Sequence, residues 1–364
     1  MKINFNQLDR GYFKYKTEYD RAAIQALESG WYILGESCEK FEREFAEFVG
    51  SKHCVGLNSG LDALTLAFRA LDIGPGDEVI VPANTYIASV IGITENGATP
   101  VFVEPDEYYN LDADNIEERI TEKTKAILVV HLYGQAANMK RIKAIAEKHK
   151  LFLIEDCAQS HGAKFEDKIS GTWGDIGCFS FYPTKNIGAF GDGGAIVTDN
   201  PSINEKVKML RNYGSKIKYQ NEIVGVNSRL DEIQAALLSV KLSHYDSLRE
   251  ERERIAKKYL TGINNLRIAL PQVRDGAEHV WHLFVIHTED RNRLQQYLQE
   301  QQIATQIHYP VPPHLSQAYR YLGFTPGDFP ITENYSNKVL SLPLYEGMTD
   351  DEIDYVVSKV NSYK

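Results

Sequence analysis

Helical and strand-like patterns of apolar residues alternate through the first part of the chain. Apolar positions at helical spacing run through residues 41–48, which end before Gly50, and through residues 64–71, which end before Gly74. Short apolar runs typical of buried strands lie at residues 78–81, 99–103, 126–130 and 151–155. Strands that alternate with helices predict an α/β fold, with a mostly parallel sheet covered on both faces.

The pattern changes after residue 227. A helical stretch over residues 230–260, charged along one side, predicts a connector between two domains. Four later segments predict a smaller α+β unit: two apolar runs at residues 266–270 and 281–286, and two helices at residues 290–301 and 353–360. We therefore predict a large α/β domain over residues 1–245 and a small C-terminal α+β domain over residues 246–364.

Charge and hydropathy limit the partners of this chain of 364 residues. Its net charge of −10 disfavours a nucleic-acid partner, because such proteins need a basic face to offset the phosphates. No apolar run reaches the length of a membrane span, so we expect no membrane partner. The short, mixed segment at residues 1–5 does not resemble a signal peptide, and we expect a cytoplasmic location.

The cysteines give no sign of a disulfide framework or a metal site. Cys38, Cys54, Cys157 and Cys178 are too few and too scattered for such a framework. Cys157 and His161 stand four residues apart, but no second ligand pair at suitable spacing follows, so we expect no metal. The chain also lacks both the G-x-x-x-x-G-K-[ST] and the G-x-G-x-x-G pattern, which argues against those classes of nucleotide binding.

Two residues that end apolar runs are the candidate catalytic pair. Lys185 closes the run of residues 180–185 and precedes a glycine-rich turn at residues 188–194. Such a place favours the neutral amine, which can form a Schiff base, although a lone lysine in a loop is more often solvated. Asp156 ends a second apolar run and offers a carboxylate for a ring nitrogen. Together they supply the two groups that pyridoxal 5′-phosphate requires, and we predict this cofactor.

Longer segments around this pair resemble the DegT/DnrJ/StrS nucleotide-sugar aminotransferases. The resemblance is carried by residues 29–35, 58–60, 82–86, 155–163, 174–185, 191–194, 226–232 and 308–310, and so runs nearly end to end. It implies the aspartate aminotransferase type I fold of pyridoxal-phosphate enzymes. It also implies a homodimer with shared active sites.

The resemblance places the cofactor phosphate at the start of a helix. Ser59 and Gly60 directly precede a predicted helix near Leu61, where backbone N–H groups can bind an anion and glycine allows close approach. On these residues alone, a plain helix N-cap is the alternative. In the family this turn holds the phosphate, Ser180 adds a hydroxyl, and Asn227 reaches in from the second subunit.

Tyr86 and Gln159 are predicted contacts of the cofactor ring. Tyr86 follows a strand end, which in an open parallel sheet faces the ligand, and its ring can stack on a pyridine; core packing is the alternative. Gln159 lies three residues beyond Asp156, close enough to reach the ring hydroxyl or the surroundings of Asp156. A surface amide is the alternative for Gln159.

Predicted substrate contacts fall into two groups. In the similar aminotransferases the residues that match Tyr182, His308 and Tyr309 face the sugar; a structural turn with a surface histidine is the alternative for the proline-stiffened loop. The second group is a cluster near the predicted subunit boundary, and a solvated face is its alternative: Arg211, Lys216, Lys218, Tyr219 and Arg229. Because a diphosphate needs cations, we expect Lys218, Tyr219 and Arg229 to contact the substrate.

The resemblance implies transamination, with Lys185 as general acid and base, L-glutamate as amino donor and a nucleotide-linked keto sugar as acceptor. His308 and Tyr309 with Tyr182 look most like enzymes that convert dTDP-3-keto-6-deoxyhexoses into dTDP-3-amino-3,6-dideoxyhexoses. A 4-aminotransferase acting on a UDP- or dTDP-linked 4-keto-6-deoxy sugar is the alternative. A sugar dehydratase of this fold would carry histidine at position 185, and a non-catalytic sensor would lack Lys185 or Asp156, so both fit less well.

Overall fold

The computed structural model describes residues 1–364. Its α-helices are α1 (Leu8–Lys14), α2 (Lys16–Glu28), α3 (Glu36–Val49), α4 (Gly60–Ala70), α5 (Ile87–Thr94), α6 (Met139–His149), α7 (Pro201–Leu210), α8 (Glu232–Ser243), α9 (Tyr245–Gly262), α10 (Arg291–Glu300), α11 (Pro330–Lys338) and α12 (Asp350–Ser362). Its strands are β1 (His53–Leu57), β2 (Glu78–Pro82), β3 (Thr99–Val103), β4 (Thr124–Val130), β5 (Phe152–Asp156), β6 (Lys164–Phe165), β7 (Lys168–Ile169), β8 (Ile176–Ser180), β9 (Gly194–Thr198), β10 (Ser215–Ile217), β11 (Gln220–Asn221), β12 (Ala277–Glu278), β13 (Phe284–His287) and β14 (Val339–Leu342). Short 3₁₀ helices lie at Ala113–Asn115, Glu117–Arg119, Leu132–Gly134, Pro313–Leu315 and Gln317–Leu322.

A central sheet of seven strands has the order β1-β9-β8-β5-β4-β2-β3. Strands β3, β2, β4, β5 and β8 run parallel to one another, whereas β9 is antiparallel to both of its neighbours. The predicted α/β fold with a mostly parallel sheet is confirmed. The four apolar runs of the first part of the sequence are β2, β3, β4 and β5.

Both faces of this sheet are buried. In β2, Val79 and Val81 point into a core with α4, α5 and α7, while Ile80 between them points into a second core with α6. Successive strand residues face opposite sides, so a strand buried on both sides needs a continuous apolar run rather than an alternating one. This is why these strands appear as uninterrupted apolar runs in the sequence.

The C-terminal part has its own hydrophobic core. It contains 21 buried residues, which come from residues 255–363 and from Ile3 near the amino terminus. The antiparallel pair β13 and β14 lies within it, together with α9, α10 and α12. The predicted helices at residues 290–301 and 353–360 correspond to α10 and α12. The division at residue 245 stays a prediction.

The predicted helical stretch over residues 230–260 is divided into two helices. The helices α8 and α9 are separated at His244, whose φ is −105° and ψ is 10°. Tertiary contacts fix this break: the His244 ring stacks on Tyr15 with centroids 3.7 Å apart, and the Tyr245 hydroxyl donates to the His161 carbonyl at 2.7 Å. The stretch is helical as predicted, with a break at His244; α8 packs on α2 and α3, and α9 packs on α12. Its role as a connector between domains stays a prediction.

The carboxyl ends of the parallel strands meet at one edge of the sheet, and loops and helix starts gather there. Strand β5 ends at Asp156, and β8 ends at Ser180, five residues before Lys185. Tyr86 caps the start of α5 after β2, and Ser59 caps the start of α4 after β1. No helix has both the length and the apolar composition that crossing a membrane requires.

Candidate active site

A pocket of about 510 Å³ opens at this edge of the sheet. Eleven of the predicted site residues line it: Ser59, Gly60, Leu61, Tyr86, Asp156, Gln159, Ser180, Tyr182, Lys185, His308 and Tyr309. They come from elements far apart in the sequence, so the fold, and not local proximity, brings them together. A larger cavity of about 860 Å³ lies between α2, α3 and α8, and none of the predicted site residues lines it.

Lys185 lies in a turn directly after β8. Its backbone N–H donates to the carbonyl of Tyr182 at 2.8 Å, which closes the turn and directs the side chain to the pocket. Burial lowers the pKa of Lys185 to about 8, against a smaller opposing effect of the Asp156 charge. A lysine in this state has a substantial neutral fraction near pH 7.5, and the neutral amine is the nucleophile.

Asp156 is a buried carboxylate at the end of β5, with 6% of its surface exposed. Its Oδ2 accepts a hydrogen bond from the Ser89 hydroxyl at 2.8 Å, and its Oδ1 accepts one from the Ala158 N–H at 3.1 Å. Burial raises the pKa of Asp156, while these two hydrogen bonds and the Lys185 charge act in the opposite direction. The carboxylate is thus held in one orientation at the pocket wall.

The start of α4 forms a cradle for an anion. The Ser59 hydroxyl accepts from the Asp62 N–H at 3.1 Å, so Ser59 is the N-cap of α4. The N–H groups of Gly60 and Leu61 have no acceptor in the chain and remain free to bind a ligand. A Cβ on Gly60 would lie 2.5 Å from the Ser180 Cβ, so only glycine lets this turn approach Ser180 closely.

Gln159 joins the pocket to the loop that carries His308 and Tyr309. Its Oε1 accepts from the Tyr133 N–H at 2.6 Å, and its Nε2 donates to the Tyr309 hydroxyl at 2.9 Å. Only 5% of its surface is exposed, so the alternative of a surface amide is wrong. The Tyr309 ring lies against Tyr86, with centroids 5.0 Å apart, and Tyr86 remains half exposed toward the pocket.

A hydrogen bond with β14 holds the His308 side chain in place. Its Nδ1 lies 2.8 Å from the Ser341 hydroxyl of β14, and burial together with the Lys185 charge lowers its pKa to about 4. The imidazole is therefore neutral at neutral pH, and its Nε2 remains available to a ligand. The alternative of a surface histidine at this position is wrong.

Four predicted site residues lie outside the pocket of their own chain: Asn227, Lys218, Tyr219 and Arg229. Lys218 and Tyr219 form the exposed turn between β10 and β11, with the ammonium 5.2 Å from the ring centroid. Arg229 donates to the Asn212 Oδ1 at 3.1 Å and lies over the Tyr213 ring. Asn227 is exposed and pairs with Asn212 through the backbone.

Arg211 is not a free cation. It is 8% exposed, pairs with the Glu42 carboxylate, and donates to the Gly56 carbonyl at 2.8 Å. A guanidinium occupied in this way has a structural role, so for Arg211 the alternative of a solvated face is wrong. Lys216 lies on the surface, 3.7 Å from Glu205.

The pocket also contains residues that sequence reasoning missed: Thr85, Asp192, His282 and Gln306. Thr85 and Asp192 lie within segments that carry the family resemblance, so a signal existed for both. Gln306 lies in the proline-stiffened loop before His308. His282 follows a segment without any recognisable motif, and only the fold brings it to the pocket.

A buried group of possible metal ligands behind the pocket has a structural explanation. His131, Glu155 and Cys157 lie close together, and the Glu155 carboxylate is 2.9 Å from the His131 Nε2. Glu155 also accepts backbone hydrogen bonds from Gly171 at 2.8 Å, Trp173 at 2.7 Å and Gly174 at 2.8 Å. These partners use the lone pairs of Glu155, which anchors the 171–174 turn beside β5.

Curated relatives align with the chain over nearly its whole length. The dTDP-3-amino-3,6-dideoxy-alpha-D-galactopyranose transaminase of Aneurinibacillus thermoaerophilus is 53% identical over 362 residues, which cover 99% of each chain. The dTDP-3-amino-3,4,6-trideoxy-alpha-D-glucose transaminase of Streptomyces venezuelae is 47% identical, over 94% of this chain and 91% of its own.

Solved structures share the fold. The structure of S. venezuelae DesV in complex with a ketimine intermediate superimposes with a TM-score of 0.97 at 46% identity, over 99% of this chain and 98% of its own. NtdA from Bacillus subtilis, solved with bound cofactor PMP, gives a TM-score of 0.90 at 32% identity, over 99% and 84% of the two chains. The predicted aminotransferase fold is therefore confirmed.

The comparison with family models agrees with the curated relatives and with the solved structures. The model of the DegT/DnrJ/EryC1/StrS aminotransferase family matches residues 14–361, a range that includes every predicted site residue. With a lysine and a buried aspartate at one pocket, and relatives that align end to end, the resemblance noted in the sequence is confirmed. The chain belongs to the DegT/DnrJ/EryC1/StrS aminotransferase family.

Proposed function

We propose that the protein is a pyridoxal 5′-phosphate-dependent aminotransferase that converts a dTDP-3-keto-6-deoxyhexose into the dTDP-3-amino-3,6-dideoxyhexose, with L-glutamate as amino donor. The observation that carries this proposal is the pocket that joins Lys185, Asp156 and the α4 cradle to His308 and Tyr182. One wall suits the cofactor, and the opposite wall offers polar side chains to a sugar.

The residues present fit the cofactor. The free N–H groups of Gly60 and Leu61, with the Ser180 hydroxyl beside them, would hold its phosphate. Tyr86 would stack on its ring, and the second Nε2 hydrogen of Gln159 is available to the ring hydroxyl because the first is donated to Tyr309. Asp156 would hold the ring nitrogen as a protonated cation. When bound, the cofactor supplies an electron sink for the reacting carbon.

Lys185 would have two roles in the reaction. Its Nζ would hold the cofactor, and the same amine, when free, would move a proton to and from the reacting carbon of the bound substrate. The lowered pKa of Lys185 suits both roles, because a general base works best when its pKa lies near the working pH. The same lysine serves the glutamate half and the sugar half of the reaction.

Carbon 3 is favoured as the site of amination. The two curated relatives described above are both named for 3-amino sugars linked to dTDP, and they align with this chain over at least 94% of its length. A sugar that presents carbon 3 to Lys185 places its carbon-4 hydroxyl near hydrogen-bonding side chains, and His308 and Tyr182 are the candidates.

The active form is proposed to be a homodimer with shared active sites. Lys185 is the only cation among the pocket-lining residues, which also include Asp156 and Asp192, while His308 is neutral. The cofactor brings a phosphate, and the substrates bring a diphosphate and carboxylates, so further cations are needed. Lys218 and Arg229 lie outside the pocket of their own chain, and a second copy would supply them together with Asn227.

Exposed aromatic side chains support such an assembly. Phe13, Trp31, Tyr32 and Phe190 are each between 46% and 64% exposed, and burying such side chains against a second copy would stabilise a dimer. We also propose a cytoplasmic location and a division of the chain into two domains, residues 1–245 and 246–364.

The proposal is tested by incubating the purified protein with L-glutamate and either a dTDP-linked 3-keto-6-deoxyhexose or a 4-keto sugar nucleotide. Mass spectrometry and NMR of the products then locate the new amine. We expect amination at carbon 3 of the dTDP-linked sugar. Efficient amination of the 4-keto sugar, with the 3-keto sugar ignored, would replace the substrate assignment but leave the aminotransferase assignment in place.

A further inference from the structure

Ser89 lies behind Asp156 in a position that no motif of the sequence indicates. It sits in the first turn of α5, fully buried, and its Oγ is 2.8 Å from the Asp156 Oδ2. Its second neighbour is Thr85, whose Oγ1 lies 2.7 Å away and whose surface is 1% exposed. Thr85 and Ser89 thus form a short buried chain of hydroxyl groups that ends on Asp156.

The direction of the hydrogen bonds follows from the chemistry of the groups. An ionised carboxylate can only accept, so the single hydroxyl proton of Ser89 is donated to Asp156. Ser89 then accepts a hydrogen bond from the Thr85 hydroxyl, so the donated hydrogen bonds run from Thr85 to Ser89 and from Ser89 to Asp156. Hydrogen bonds linked in this way strengthen one another in a buried setting.

Few charges stand near Asp156 to keep it ionised. Lys185 faces it across the pocket and His131 lies at the end of β4, while the Cys178 thiol of β8 and the Tyr309 hydroxyl are uncharged neighbours. Glu155, the preceding residue, carries the same charge as Asp156 and points into the 171–174 turn. Against the cost of burial, the Ser89 hydroxyl is the foremost of the groups that lower the pKa of Asp156.

We propose that the Ser89 hydroxyl, oriented by Thr85, is a positioning group that keeps Asp156 ionised and directed at the ring nitrogen of the cofactor. This inference rests on the proposed function, since it gives the pair a role only when pyridoxal phosphate is bound. Asp156 and the ring nitrogen share one proton. A carboxylate stabilised by Ser89 is the weaker base, so the proton stays on the nitrogen, where it makes the ring an electron sink.

The experiment compares Ser89→Ala, Thr85→Val and the wild type, with Ser170→Ala as a matched control. The Ser170 hydroxyl is also buried, but it donates to the Ser160 carbonyl at 2.8 Å and does not line the pocket. Two measurements need no turnover. One is the ¹⁵N NMR resonance of the cofactor ring nitrogen, using ¹⁵N-labelled pyridoxal phosphate, and the other is the dissociation constant of the cofactor from apoprotein.

We expect Ser89→Ala to shift the ring-nitrogen resonance toward the unprotonated position and to weaken cofactor binding about ten- to a hundredfold. Thr85→Val should act in the same direction with a smaller effect, and it serves as the test if Ser89→Ala does not fold. Ser170→Ala should match the wild type. A wild-type resonance and affinity in the hydroxyl-deleted variants would overturn the inference and leave the proposed function intact. A wild-type protein that binds no pyridoxal phosphate would overturn both.

Discussion

The pKa of the Lys185 amine is lowered by burial and not by a neighbouring cation. Its pKa falls to about 8 because the pocket desolvates the ammonium group, and the Asp156 charge opposes this fall only in part. The apolar strand β8 before it and the turn after it were visible in the sequence, and so the role of Lys185 could be predicted there. The groups that surround its side chain could be identified only from the folded structure.

Replacement of Lys185 tests its assigned roles. We expect Lys185→Ala to retain cofactor binding through the α4 cradle and Asp156, but to lose turnover by at least about a thousandfold, because no other group moves the proton. Borohydride reduction followed by peptide mapping should label Lys185 in the wild type and no residue in the variant. A label on another peptide, or easily measured turnover in Lys185→Ala, would contradict the assignment.

The sugar-facing side chains are tested separately from the cofactor. We expect His308→Ala and Tyr182→Phe each to lower kcat/KM for the 3-keto sugar nucleotide about ten- to a hundredfold, because each loses a hydrogen bond to the sugar. Cofactor affinity and the glutamate half-reaction should stay at the wild-type level. Equal losses in both half-reactions would mean that these residues support the pocket in general and do not recognise the sugar.

Elements were predicted best where a local pattern decides their structure. Strand β3 matches its predicted bounds, and β5 is displaced by one residue, because buried parallel strands leave continuous apolar runs. The break between α8 and α9 could not be predicted, because no glycine or proline marks it and contacts of Tyr15 and His161 with residues distant in the sequence fix it. Ser89 was missed for the same reason: its contact with Asp156 arises only when the fold brings the start of α5 to the end of β5.

Tyr133 connects three elements at the pocket. Its backbone N–H donates to Gln159, its hydroxyl donates to the His308 carbonyl, and Gln159 in turn donates to Tyr309. These contacts form a closed ring between the turn after β4, the turn after β5 and the 308–309 loop. The ring fixes the distance between the predicted cofactor contact, Gln159, and the predicted sugar contacts.

We expect Tyr133→Phe to raise KM for the keto sugar nucleotide about tenfold, because the 308–309 loop loses its anchor while the backbone contact to Gln159 remains. Cofactor affinity should change by less than about threefold. Tyr109→Phe is the matched control, since the Tyr109 ring packs 5.3 Å from Tyr133 and its hydroxyl has no partner in the chain. If both variants behave alike, the hydroxyl of Tyr133 does not position the loop.

At the scale of the whole molecule, the pocket of a single chain has too little positive charge for its proposed ligands. Asn227 was predicted from the family resemblance, and Lys218 and Arg229 from a cluster of cations near the predicted subunit boundary; in the structure all three lie outside the pocket. Lys185, Asp156 and the α4 cradle meet within one chain, whereas Asn227, Lys218 and Arg229 do not join them there. The simplest geometry that uses all of them is a dimer with two exchanged contributions.

Mixed dimers test this geometry directly. In a dimer of one Lys185→Ala subunit and one Asn227→Ala subunit, shared sites predict one site that carries both substitutions and one site that carries neither. Such a dimer, isolated through two different affinity tags, should show about half of the wild-type activity. A dimer of one wild-type and one Lys185→Ala subunit provides the reference for a single intact site.

Without sharing, the only lysine-containing site would keep its Asn227→Ala defect, and activity would not exceed half that of the Asn227→Ala homodimer. The comparison requires that Asn227→Ala alone be clearly damaging, which we expect from the loss of a phosphate contact, and full activity in that homodimer would contradict the phosphate assignment itself.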